Sequence, residues 1–248
     1  IITKKFKMPQ VVGALLAGLI FGPAMLNILK ETNFIIQLSE LGVILLMFSA
    51  GLDTDLNELK KTGKASFIIA LFGVLIPLIG GFLVAYLFSD LDLMKEATTN
   101  VLLQNIFIGV ILTATSVSIT VEALKEMGKL NTSAGTAILG AAIIDDILGI
   151  IALTIISSMA DTSVNVGFVL LKIVAYFIFV IVIGITSHKA FDIWMKYENR
   201  DRRRFITAAL VFCLLLSYVS EEIFGVADIT GAFIAGLILS NVERKTYV

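Results

Sequence analysis

Two adjacent carboxylates, Asp145 and Asp146, stand in the middle of residues 131–159, a stretch that carries no other charge. As a helix, a stretch of that length crosses a bilayer. A carboxylate at membrane depth costs about 3 kcal/mol on insertion scales and more in simulations, so by default it marks an ion or proton pathway. Desolvation penalises the ionised form. A carboxyl group held there can keep a proton or a cation near neutral pH, but not both at once. Competition of that kind is enough for obligatory exchange if the site opens to one side at a time. Neighbours on a helix point about 100° apart, so the pair cannot face one ligand in the same way. One of them is expected to face a cavity beside the preceding segment, and the other a second partner.

That preceding segment is rich in oxygen. Thr113, Thr115, Ser116, Ser118 and Thr120 put five hydroxyls into residues 113–120. In an ordinary buried helix such hydroxyls return hydrogen bonds to the turn before them. The other reading is a helix broken or unwound near Thr115 and Ser116. Its freed carbonyls and hydroxyls would offer oxygens to a small hard cation, and such backbone is tolerated at membrane depth only beside a protein cavity.

The elements that must position these groups follow from composition. Of the 248 residues, 58% are hydrophobic and 16% charged, against about a quarter charged in a soluble domain. The mean hydropathy is +0.97. An all-α polytopic membrane protein is expected. Apolar segments run over residues 9–29, 34–52, 65–88, 101–124, 132–159, 166–193, 205–224 and 226–242. Pro77 predicts a kink in the third. Cys213, the only cysteine, excludes an internal disulfide.

Charge supports this division. Sixteen of the 19 basic residues fall before the first segment, in or beside alternate connections between segments, and after the last. Lys30 and Lys95 occupy the opposite side, and Lys172 lies near the start of the sixth segment, where it can snorkel. The positive-inside rule makes both ends of the chain cytoplasmic. No basic face suits a nucleic acid. The sequence also lacks a phosphate loop, a dinucleotide fingerprint, a zinc-helix motif and a nucleophile constellation, so no enzyme activity and no cofactor is expected. His188, Glu221, Glu222 and Asp228 are read as solvated helix-end or turn residues, Glu122 equally as a helix-end residue or as lining of an inner funnel, and Arg202–Arg204 as a topology anchor.

Residues 13–20 read GALLAGLI and residues 231–238 read GAFIAGLI, six of eight positions identical. Small-residue stripes also recur by chance because they suit close helix packing. An odd number of spans separates these two, so they cross the membrane in opposite directions, as in the inverted repeats of secondary transporters.

The run 113–120, the turn from Gly128 and the stretch 142–149 together resemble the monovalent cation:proton antiporters. They are most similar to the branch with NapA-type sodium/proton antiporters and Kef-type potassium exporters. Residues 41–56 and 230–236 resemble further helices of that family. The resemblance implies an inverted-repeat antiporter fold of about thirteen helices, with a discontinuous helix in each repeat and the site where the breaks cross. About eight of them would lie in this chain. Residues 1–165 would form the first repeat without its first helix, 166–204 a linker helix and loop, and 205–248 the start of the second repeat. The chain, which opens on Ile1, would then be a fragment.

The resemblance further implies that Asp146 is the principal carboxylate for Na+ or K+ and for H+. Asp145 is its neighbour, which relatives can pair with a lysine of the second repeat. Thr113, Thr115 and Ser116 belong to the site at the break. The implied protein is a homodimer in the cell membrane of a prokaryote, and the aspartate pair leans toward electrogenic sodium exchange. The alternatives are a Kef-type regulated potassium efflux system and an ion-sensing membrane protein.

Overall fold

A computed structural model describes residues 10–88, 101–160, 165–197 and 202–240, and within them the chain folds entirely as helices and short connections. The helices are α1 (Gln10–Phe21), α2 (Asn33–Asp53), α3 (Leu56–Leu87), α4 (Val101–Ile111), α5 (Val117–Glu126), α6 (Ser133–Ala160), α7 (Val166–Tyr197), α8 (Arg202–Glu222) and α9 (Asp228–Ser240). Each of the eight apolar segments holds a helix, and the fourth holds two. Five of these, α2, α3, α6, α7 and most of α8, are long and apolar enough to cross a membrane. The protein is an all-α, multi-pass membrane protein. Lys4, Lys5, Lys7, Lys95, Arg200, Arg244 and Lys245 lie outside the described residues.

The first segment departs from expectation. Its apolar run extends to residue 29, whereas its helix stops at Phe21. Pro23 disfavours helical backbone at the residue before it, Gly22. The chain then curls into turns in which the amides of Ile28 and Leu29 both donate to the Phe21 carbonyl, at 3.0 and 2.8 Å. By contrast α3 continues without interruption through Pro77. Two other helix ends are closed by glycine. Gly128 and Gly225 have φ of 63° and 71°. That left-handed backbone lets the amides of Lys129 and Val226 return to the carbonyls of Leu124 and Ser220.

Large apolar side chains point outward along the long helices, among them Ile76, Leu87, Leu171 and Ile181. Small and polar residues, among them Ala50, Ala232, Ala235, Ser66 and Ser220, are buried in the interior beside larger ones such as Phe233 and Tyr176. Lipid tails are as apolar as leucine, so packing and interhelical hydrogen bonds must drive association, and small residues allow both. Two packed sets result. In one, α3 lies along both α4 and α6. There the Ser66 hydroxyl reaches the Ala137 carbonyl at 3.0 Å, and Gly140 leaves no room for a Cβ against Ser66. In the other, α9 lies along both α2 and α8. Cys213, on α8, is fully buried as a free thiol. Lys172 lies 5.2 Å over the Phe168 ring, a cation–π contact near the start of α7.

Candidate cation site

The break is built into the fourth segment. α4 ends at Ile111, α5 begins at Val117, and the residues between them leave helical geometry. The local hydroxyls hold the two ends apart. Thr113, buried, donates from Oγ1 to the Val110 carbonyl at 2.7 Å, which closes the last turn of α4. Thr115 donates to the Thr113 carbonyl at 3.2 Å. Ser116 takes the N-cap position of α5 with extended backbone, φ −78° and ψ 102°, yet its side chain makes no capping bond. Its hydroxyl remains available to another partner. The partial negative end of α4 and the partial positive end of α5 therefore meet at one point in the chain.

α6 supplies the carboxylates and runs unbroken through them. Thr132 starts it by accepting the Gly135 amide at 3.1 Å. Asp145 and Asp146 are both partly buried, and they face different helices, as their angular separation requires. Asp146 accepts on Oδ2 from the Thr230 hydroxyl of α9 at 3.1 Å. Asp145 turns to α3, where its Oδ1 lies 3.9 Å from the place a Cβ on Gly73 would occupy. That oxygen is buried and has no hydrogen-bond partner among the described residues.

The structure thus gathers Thr113, Thr115 and Ser116 in one break. It sets Asp145 and Asp146 on a helix that packs against both α4 and α5. No hydrogen bond joins either carboxylate to the three hydroxyls among the described residues. Sequence reasoning missed Thr230 and Gly73 as neighbours of the aspartates. Thr230 had one usable signal: a hydroxyl next to the second copy of the small-residue stripe, in an apolar segment.

A polytopic helical protein with a helix broken beside a carboxylate-bearing helix has the build of membrane ion transporters. The chain matches the family described as sodium/hydrogen exchanger, transmembrane, over residues 1–248, and it belongs to that family within the monovalent cation:proton antiporters. It is 41% identical over 247 residues to the probable Na(+)/H(+) antiporter GerT of Bacillus cereus, covering 98% of this chain and 62% of that protein. It is 40% identical to the Na(+)/H(+)-K(+) antiporter GerN of the same organism, over 96% of this chain and 58% of the relative. With an Na(+)/H(+) antiporter of Enterococcus hirae the identity is 36%, over 98% and 62%. The chain spans about six-tenths of the length of these relatives.

Proposed function

We propose that the whole protein exchanges Na+ or K+ for H+ by alternating access, with Asp146 as the carboxylate that holds either the cation or the proton. The observation that carries this reading is the placement of Asp146. It sits mid-helix in α6, a helix long enough to span a bilayer, packed on both halves of the broken segment. Ser116 and Thr115, with the carbonyls of the break, supply the neutral oxygens that a hard monovalent cation needs in place of water. Thr113 belongs to the same break, its hydroxyl engaged with α4. The relatives' names support Na+ as cargo, and GerN's adds K+.

In this reading residues 1–165 form the first inverted repeat, 166–204 a linker, and 205–248 the start of the second. The protein acts as a homodimer in a prokaryotic cell membrane, with both ends of this chain cytoplasmic. Asp145 modulates the charge carried per cycle. The test is Asp146→Asn in the whole protein reconstituted in vesicles. Sodium- or potassium-dependent proton flux is expected to vanish, while the melting temperature stays within a few degrees of the parent. Undiminished flux would remove Asp146 from the mechanism.

A further inference from the structure

Thr230 differs from several other threonines among the described residues. Thr54, Thr62, Thr113, Thr154 and Thr186 each return their hydroxyl to a carbonyl of their own helix, as helical threonines ordinarily do. Thr230, 1% exposed, donates its hydroxyl to the Asp146 carboxylate of another helix. Its backbone amide already goes to Ala227 at 3.0 Å, so the hydroxyl is not needed to finish the first turn of α9.

The bond also joins the two packed sets. Asp146 belongs to the set in which α3 lies along α4 and α6. Thr230 belongs to the set in which α9 lies along α2 and α8, and α9 is wedged there. A Cβ on Gly231 would meet the Leu216 carbonyl oxygen at 2.8 Å. A displacement of α6 against α9 that carries these two side chains beyond hydrogen-bond reach breaks the Thr230–Asp146 bond.

Chemistry decides when the bond is strong. A hydroxyl donor binds an ionised carboxylate more tightly than a neutral acid. A proton or a cation on the carboxylate cancels much of the negative charge that the hydroxyl binds. The bond is therefore strongest when Asp146 holds neither, which is the one state an exchanger must keep from crossing. A carrier that returns empty lets ions run down their gradient without exchange.

Resting on the exchange reading above, we infer that Thr230 is a latch on the unloaded carrier: it ties free Asp146 to α9 and lets go when cation or proton arrives. Thr230 is thus a positioning residue that sets the tightness of coupling.

The test loads proteoliposomes of the whole protein with radioactive Na+ at alkaline pH, where protons are scarce. Wild type is expected to release label rapidly into external Na+, by Na+–Na+ exchange, and slowly into Na+-free medium. Thr230→Val is expected to keep the exchange but to raise net release on the order of tenfold, the weight of one hydrogen bond to a charged group. Thr230→Ala, free of any packing fault peculiar to valine, is expected to do the same, and Thr230→Ser to behave as wild type. Tight coupling in both Thr230→Val and Thr230→Ala overturns the latch, as does loss of Na+–Na+ exchange in both. Asp146→Asn run in parallel separates the two ideas: if that variant exchanges normally, the reading of the site fails rather than the latch alone.

Discussion

Gly51 of α2 and Gly236 of α9 each stand where the other helix presents a carbonyl. A Cβ on Gly51 would run into the Phe233 oxygen, and one on Gly236 into the Phe48 oxygen. The two backbones thus meet directly, and Ala50, Ala232 and Ala235 around the crossing are fully buried. Close approach of this kind replaces the hydrophobic driving force that lipid removes.

Gly51→Ala and Gly236→Ala should therefore each destabilise the protein by about 1–3 kcal/mol, the usual cost of overpacking. Gly18 occupies the corresponding stripe of α1 but has open space around the place of its Cβ. Gly18→Ala should stay within about 0.5 kcal/mol of the parent, as surface substitutions do. Thermal unfolding in detergent checks all three. Equal melting of Gly236→Ala and wild type would refute the crossing.

A second contact closes the start of α1. Glu126, the last residue of α5, accepts the Gln10 amide on Oε2 at 2.6 Å. A carboxylate suits the partial positive charge at a helix N-terminus. Loss of a cap costs about 1 kcal/mol. Glu126→Ala is accordingly expected to speed hydrogen exchange several-fold in the first turn of α1 and to leave α6 unchanged. Glu126→Gln keeps the acceptor oxygen and should show a smaller effect. Uniform protection in both variants would mean that this bond does not hold α1.

Much of this architecture could be read from residues alone. Eight apolar segments became helices because uninterrupted hydropathy and segregated charge are local properties, and lipid forces the backbone to bond within each segment. The break near Thr115 and Ser116 was legible for a related reason: closely spaced hydroxyls and β-branched residues compete with the helix. The early end of α1 at Phe21 was misjudged because apolar residues continue to Leu29, and only Gly22-Pro23 marked the stop. What local pattern cannot carry is choice of neighbour. That Asp146 meets Thr230, 84 residues away, and Asp145 meets the bare backbone of Gly73 depends on how α3, α6 and α9 cross.

The break separates stability from ion binding at two residues. The Thr113 hydroxyl is engaged with the Val110 carbonyl, so Thr113→Ala should cost about 1 kcal/mol, the net weight of a hydrogen bond, with little change in apparent cation affinity. Ser116 caps nothing. Ser116→Ala should leave stability within about 0.5 kcal/mol and lower the apparent affinity for Na+ or K+ several-fold. Melting curves and cation titrations of proton flux check the pair. The reverse pattern would exchange the roles given to these residues.

Asp145 provides the sharpest contrast with its neighbour. Its Oδ1 is buried with no partner among the described residues, and a buried unsatisfied polar group costs about 1–3 kcal/mol, more when charged. Asparagine has nearly the same shape and removes the charge. Asp145→Asn should then raise the melting temperature by several degrees, whereas Asp146→Asn, which keeps an oxygen to accept from Thr230, should change it little. Gly73→Ala adds a test of geometry. Its Cβ would rest 3.9 Å from Oδ1, an ordinary van der Waals contact. It should be tolerated in the wild type and should leave the gain from Asp145→Asn intact. A fall in stability on Asp145→Asn would instead show that the ionised Asp145 is satisfied in the assembled protein by a positive partner, and Gly73→Ala would then report whether that partner approaches from the α3 side.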